Sequence, residues 1–344
     1  MVSQMSSWLE FLEKRGAVVA EGRVTSFGDA RAELVAARDA TILCDLSHNA
    51  LIEATGDDAA AFLHGQLTND VEALAEAGAQ WTGWCTPKGR LLASFLLVRL
   101  PARFFLMLPA EIAEPVRKRL AMFVLRSKVK LADASAAWAR IGITGPGARA
   151  AMAKAMGEAP HRHRAHEQDG AIAIGLEEDR FILLAPIDRA PALWDALAQS
   201  AVPAGSAAWE WKSIRAGIPT IVAATQEAFV PQMANFDLID AVSFRKGCYP
   251  GQEIVARMQY RGGLKRRMAL AHLDTDAAIA PGQSLYSTAF GDQAAGVIVN
   301  ASPAPGGGSD ALVIAQIESL ERNDLRWGAP GGPPVEIVRR PDSP

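Results

Sequence analysis

Cysteine is scarce in this chain of 344 residues. There are three, Cys44, Cys85 and Cys248, far apart and without a CxxC pair. That spacing excludes a disulfide framework and a sequence-local zinc or cluster-binding motif. Long apolar runs are also missing: stretches such as "LLASFLLVRL" are strand-length and are broken by Arg99, too short to cross a bilayer. The opening "MVSQMSSWLEFLEKRGAVV" has no basic leader before an apolar core, so no secretory signal is expected and a reducing, cytoplasmic compartment is. Positive charge is not in excess either. A formal net charge of −3 supplies no global field toward nucleic acid or membrane, so any basic site must be local. Neither a GxGxxG fingerprint nor a GKS/GKT loop occurs, which removes the usual nucleotide cradles. No Ser–His–Asp order of a hydrolase can be drawn.

What is present is a globular composition, 49% hydrophobic and 21% charged, in a chain long enough for two domains or three small ones. Strands are expected over Thr41–Leu46 and Ala50–Thr55, then a helix capped by Asp57 or Asp58. "AQWTGWCTPKGRLLASFLLVR" reads as a β-hairpin turning at Pro87, Lys88 and Gly89. After a strand in "PARFFLMLP", the spacing of Ile112, Val116, Leu120 and Phe123 predicts a helix over Glu111–Leu125. Strands and single helices then alternate to a helix over Pro191–Ala201, a pattern of α+β layers. Beyond Leu264 short apolar runs are separated by Gly, Pro and Asp, the signature of a small all-β barrel or sandwich with no helix of note. A domain boundary is placed near Gly263.

The chemistry concentrates in "FRKGCYPGQEIVAR". Cys248 stands between Gly247 and Gly251, and Tyr249-Pro250-Gly251-Gln252 fits a type II turn. Arg245 and Lys246 precede the thiol and would favour its thiolate. Seven cations against the single acid Glu253 lie between Arg245 and Arg267, counting Arg257, Arg261, Lys265 and Arg266. That density points to an anionic partner, a carboxylate-bearing small molecule or an RNA backbone. Few aromatics interleave with the cations, which makes single-stranded nucleic acid the weaker choice. "HRHRAHE" (His161, His163, His166) reads as an exposed loop more than a metal site, and His48 and His64 as satisfied local groups. Trp209 and Trp211 are expected on one side of a strand or helix start, as core anchors.

"KGCYPGQE" followed by "ARMQYRGGLKRR" closely resembles the hallmark of the YgfZ-type folate-binding proteins, relatives of the glycine-cleavage T-protein that assist iron–sulfur enzymes. The likeness extends through "RAGIP", "FVPQMANFD", "DLSHNALIEATGDDAAAFLHGQLTNDV" and "CTPKGRLLASFLLV", nearly the whole chain. It implies an α+β, three-domain ring of T-protein type around a central folate pocket: residues 1–45 with 130–205, residues 46–129 with 206–263, and a C-terminal β-barrel over 264–344. It implies tetrahydrofolate, or a one-carbon derivative, as ligand. Cys248 would be the functional thiol, and Trp209, Lys246, Tyr249, Gln252, Glu253 and Arg257 the folate contacts. Iron–sulfur enzymes, including tRNA-modifying ones, would be the partners, with no membrane and with direct nucleic-acid binding a lesser option. In the aminomethyltransferases an aspartate follows the hairpin glycine; Ala93 and Ser94 stand in its place here and have no carboxylate. Asn49 replaces an aromatic found at the pocket edge in some relatives. An accessory role is therefore ranked above one-carbon transfer, and both above an RNA-binding module.

Overall fold

The computed structural model describes residues 2–260 and 262–341, with side chains from Ser7 onward. Helix α1 (Val2–Glu13) precedes a ribbon of β1 (Val18–Ala20) and β2 (Arg23–Ser26), then α2 (Ala30–Asp39), β3 (Ile42–Asp45), β4 (Asn49–Thr55) and α3 (Ala59–Gln66). The hairpin of β5 (Gly78–Cys85) and β6 (Leu91–Leu100) leads to β7 (Arg103–Pro109), α4 (Ala110–Ala121) and β8 (Lys130–Asp133). Next come β9 (Trp138–Thr144), α5 (Ala148–Met156), β10 (Ala165–Gln168), β11 (Ala171–Gly175), β12 (Arg180–Pro186), α6 (Ala190–Ala198), β13 (Val202–Ala204) and α7 (Ser206–Arg215). A long loop with short 3-10 turns reaches α8 (Gln252–Tyr260). The chain finishes with β14 (Arg266–Leu273), β15 (Ser284–Tyr286), β16 (Ala294–Pro303), β17 (Ser309–Gln316), α9 (Ile317–Arg322), β18 (Arg326–Trp327) and β19 (Glu336–Arg339).

Two compact units result, one of Met1–Ala59, Leu74–Gln80 and Leu96–Lys212, the other of Ala60–Ala73, Trp81–Phe95 and Ser213–Pro344. In the first, a six-stranded sheet has the order β10-β11-β12-β9-β3-β13, antiparallel except for the parallel pair of β13 with β3. Trp8, Leu12, Met152 and Trp194 of α1, α5 and α6 bury one of its faces. Helix α2 starts where the Asp29 carboxylate accepts from the amides of Arg31 and Ala32, both at 3.0 Å, satisfying donors that have no partner inside the helix. A second sheet runs β5-β6-β7-β4-β8, and β6 is buried at every position but Arg99, as its largely apolar sequence requires.

The second unit ends in a six-stranded sheet, β18-β15-β16-β17-β14-β19, that curls into a half-barrel. Successive side chains of a strand face opposite ways, and β14 and β17 use both faces. Ala269, Ala271, Leu273, Val313 and Ala315 enter one core. Met268, Leu270, Leu312 and Ile314 enter another with Cys85, Leu91, Phe236 and Val255. The long loop and the hairpin are thereby fastened to the barrel's other side.

Three expectations need correction. Helix α4 stops at Ala121, and residues 122–129 run in tight turns with Leu125 at φ 47°. Phe123 keeps helical spacing but is exposed. Asp57 and Asp58 both engage Lys128, Asp58 accepting its amide at 2.7 Å. The C-terminal region does contain a helix, the six-residue α9. Among the described residues no helix is long and apolar enough to cross a membrane.

Candidate functional site

Cys248 is exposed, whereas Cys44 and Cys85 are buried. Its loop is held from below by groups that follow α3. Thr68 Oγ1 donates to Ala241 O at 2.7 Å and accepts from Gly83 N at 2.8 Å. Asn69 Nδ2 donates to Trp81 O at 2.9 Å and to Asp240 O at 2.6 Å. Ser243 N then donates to Thr68 O at 3.0 Å. Two side chains thus tie the hairpin to the segment that enters the thiol loop.

Lys246 is buried despite its charge. Its ammonium donates to the carbonyl of His64 and, at 2.6 Å, to that of Leu67. Those carbonyls close α3, where helix acceptors lack partners and a cation is favoured. The Lys246 nitrogen also lies 4.9 Å from the centre of the Tyr249 ring. Burial lowers the lysine to about 8, against the pull of Asp70 and Glu72. His64 borders the loop: its Nε2 stands 3.7 Å from where a Cβ on Gly247 would be. Its Nδ1 approaches Asp70 Oδ1 at 3.1 Å without hydrogen-bond alignment.

After the thiol the chain turns as its sequence predicts. Gln252 N donates to Tyr249 O at 3.2 Å, closing the turn, and Gly251 has φ 82°. A side chain at Gly251 would also meet the hairpin, since its Cβ would fall 2.5 Å from Thr86 O and 2.6 Å from Gly89 Cα. The hairpin itself closes where Gly89 N donates to Thr86 O at 2.9 Å, with Gly89 at φ 69°. Beyond the turn, Val255 is buried while Glu253 and Arg257 face solvent on α8, and Gln252 is half-buried. Glu253 sits in the first turn, where the helix dipole favours an anion.

The basic stretch separates into two groups. Arg245, Arg257 and Lys265 are exposed and Arg266 is half-buried. Lys246 and Arg267 are spent inside the fold. Arg267 is fork-paired to Asp237 at 2.7 and 2.8 Å and also donates to Gln232 O at 2.6 Å. Arg261 lies outside the described residues. Ala93 is fully buried, and the Ser94 hydroxyl accepts from Ile221 N at 2.9 Å, so neither position offers a carboxylate.

Trp209 belongs to the first unit, on α7. It is buried, with the Arg180 guanidinium 4.8 Å from its ring centre. A Cβ on Gly142 would fall 2.6 Å from the ring. Trp211 is buried as well, which makes both core residues, but not on one side. Two positions apart on a helix is about 200° of rotation. The histidine-rich segment is more ordered than a free loop: His163 meets Glu177 at 2.7 Å, and His166, on β10, meets Met156 O at 3.1 Å. Among the described residues no cluster of His, Cys, Asp or Glu could hold a metal ion.

Sequence reasoning missed Thr68, Asn69 and Asp237 and treated His64 as a merely local group. The partners that fix them in place lie 12 to 182 positions away, and no local pattern announces such ties.

The site has opposed alkaline signatures. An unfolded lysine titrates near 10.5 and folded Lys246 near 8. Between those values the unfolded chain holds the extra proton, so this group's contribution to stability rises with pH. Burial pushes the Cys85 thiol from 9.0 up to about 12. From pH 9 upward the unfolded thiol ionises first, and that contribution falls. Urea midpoints from pH 7 to 10.5 should therefore decline less in Cys85→Ala than in the wild type, and more in Lys246→Met.

The family profile described as the GCVT N-terminal domain matches residues 5–173. The tRNA-modifying protein YgfZ of Serratia proteamaculans (strain 568) is 33% identical over 229 residues, 66% of this chain and 69% of that protein. The YgfZ protein of Cronobacter sakazakii (strain ATCC BAA-894) is 32% identical over 241 residues, covering 69% and 73%. Among solved structures, the glycine cleavage system aminomethyltransferase T from Bartonella henselae superposes with a TM-score of 0.79 at 21% identity. The match covers 96% of this chain and 95% of that one. The fold is that of the T-protein, α+β with the barrel-like C-terminal sheet.

Proposed function

This chain belongs to the YgfZ family, and from that premise we propose a tetrahydrofolate-binding accessory protein in iron–sulfur cluster assembly or repair. It would support iron–sulfur enzymes such as those that modify tRNA. The observation that carries the reading is the placement of Cys248. Of three thiols it alone reaches solvent, on a loop pinned by Lys246 before it and by Gly251 after it. A thiol so fixed can meet a partner without backbone rearrangement, which limits the entropy lost on contact. One thiol does not hold a cluster by itself, so Cys248 acts in passing on a cluster that a client carries.

In this reading the polar groups of α8 supply the folate contacts. Glu253 and Gln252 offer an acceptor and an amide to a pterin edge, and exposed Arg257 offers a fork to a glutamate carboxylate. Lys246 and Tyr249 hold the frame, since the ammonium of one and the ring of the other are already buried. Trp209 enters the set from the family resemblance alone. One-carbon transfer is the second reading, and the buried Ala93 and Ser94 weigh against it.

The test is calorimetric titration of tetrahydrofolate into the wild type and Cys248→Ala, with iron–sulfur enzyme activity assayed in cells carrying each. Equal folate binding with loss of client activity to background in the variant is the expected result. Because Cys248 is exposed, the variant's unfolding free energy should stay within about 0.5 kcal/mol of the wild type. Client activity unaffected by the substitution overturns the role of the thiol. Absence of folate binding in both forms overturns the ligand and brings forward an RNA contact through Arg245, Arg257 and Lys265.

A further inference from the structure

Beyond that reading, one ridge of the first unit has no account in terms of folding. Met122, Phe123 and Leu125, just past the end of α4, are 67%, 45% and 89% exposed. Three large apolar side chains within four residues form a patch, not the scatter of single exposed residues normal on a surface. The backbone beneath them is fixed. Phe123 N donates to Leu120 O, Val124 N to Ala121 O and Ser127 N to Val124 O, at 3.1, 3.2 and 2.8 Å. Lys128 N is held by Asp58 Oδ2, and Gly56 lies so close that a Cβ there would stand 2.0 Å from Lys128 O.

Leu125 is costly twice over. It has φ 47°, where leucine is disfavoured and glycine or asparagine is not. It also gains almost no burial. A polar turn residue would serve the fold better, so the leucine serves something outside it.

The charges around the ridge say what kind of body fits. Arg126 and Lys130 are exposed and have no side-chain partner among the described residues. The nearby acid Asp57 is neutralised by Lys128 at 3.3 Å. An apolar centre with unpaired cations on its rim matches the anatomy of a protein interface. Two free cations are few for a phosphate backbone. They are likewise few for an anionic lipid surface, which takes a denser basic cluster. We propose that residues 122–130 form a preorganised docking knob for a partner protein whose apolar cleft is rimmed by carboxylates.

The experiment places a photo-crosslinking benzoylphenylalanine at position 125 of the full chain in cells, with the same probe at Leu238, which is 40% exposed, as control. A discrete protein adduct at 125 and not at 238 is expected. The adduct's partner, identified by mass spectrometry and purified, should bind the wild type. It should lose at least about tenfold in affinity for Leu125→Ser and for the pair Arg126→Glu with Lys130→Glu, while unfolding midpoints stay unchanged. The proposal is overturned by no adduct, a nuclease-sensitive adduct, or an adduct of the chain with itself. It is also overturned by Leu125-dependent sedimentation with phosphatidylserine vesicles, or by charge reversal without effect.

Discussion

Asp237→Ala should destabilise the protein by about 3–5 kcal/mol, the cost of leaving one member of a buried ion pair alone. The side chains of Arg267 and Asp237 are only 8% and 12% exposed, and their two parallel bonds satisfy the guanidinium fork. Removing the carboxylate strands a cation among the second unit's apolar side chains with Gln232 O as its remaining acceptor. Urea denaturation of the variant measures the loss. Arg245→Ala, from the same run of basic residues, serves as the contrast: an exposed cation changes stability by less than about 0.5 kcal/mol. Similar losses in both would mean that the run acts as one surface, against the division into buried and exposed cations.

Gly251→Ala is the second large effect, about 2–4 kcal/mol. Two causes add. A residue other than glycine at φ 82° is strained by about 1–3 kcal/mol. The new methyl also meets the Thr86 carbonyl and the Gly89 backbone, which have no rotamer through which to yield. The variant should therefore lose the fixed placement of Cys248 as well as stability, since hairpin and thiol loop part where they touch. Gly263→Ala, with no atom within 4 Å of its would-be Cβ, should be nearly neutral. A Gly251→Ala protein as stable as the wild type would show that the turn relaxes without the hairpin.

What the residues revealed in advance was whatever a few neighbours decide. The hairpin at Pro87–Gly89 and the turn at Tyr249–Gln252 were legible because positive φ and a closing hydrogen bond are set within four residues. The central C-terminal strands β14 and β17 were legible because both their faces are buried along short apolar runs. Helix α4 was read too long because Phe123 keeps apolar spacing after the backbone has left the helix, and spacing carries no record of exposure. The two tryptophans were placed on one side because the local pattern did not choose between periods of 2 and 3.6. At the site, the exposed thiol was foreseen from its glycines. The separate duties of the cations were not. Arg267 and Arg266 are adjacent and alike in kind, and only the distant Asp237 makes one of them structural.

The bond between Lys246 and the end of α3 joins residues 182 positions apart. A ribosome adds about 5–20 residues each second, so α3 waits roughly ten to forty seconds for the lysine that closes it. Through that interval Thr68, Asn69 and the hairpin also lack Asp240 and Ala241. A chain that ends before Lys246 leaves the carbonyls that close α3 without that ammonium. The loop that carries Cys248 therefore gains its fixed backbone only after the last of these distant partners has been made.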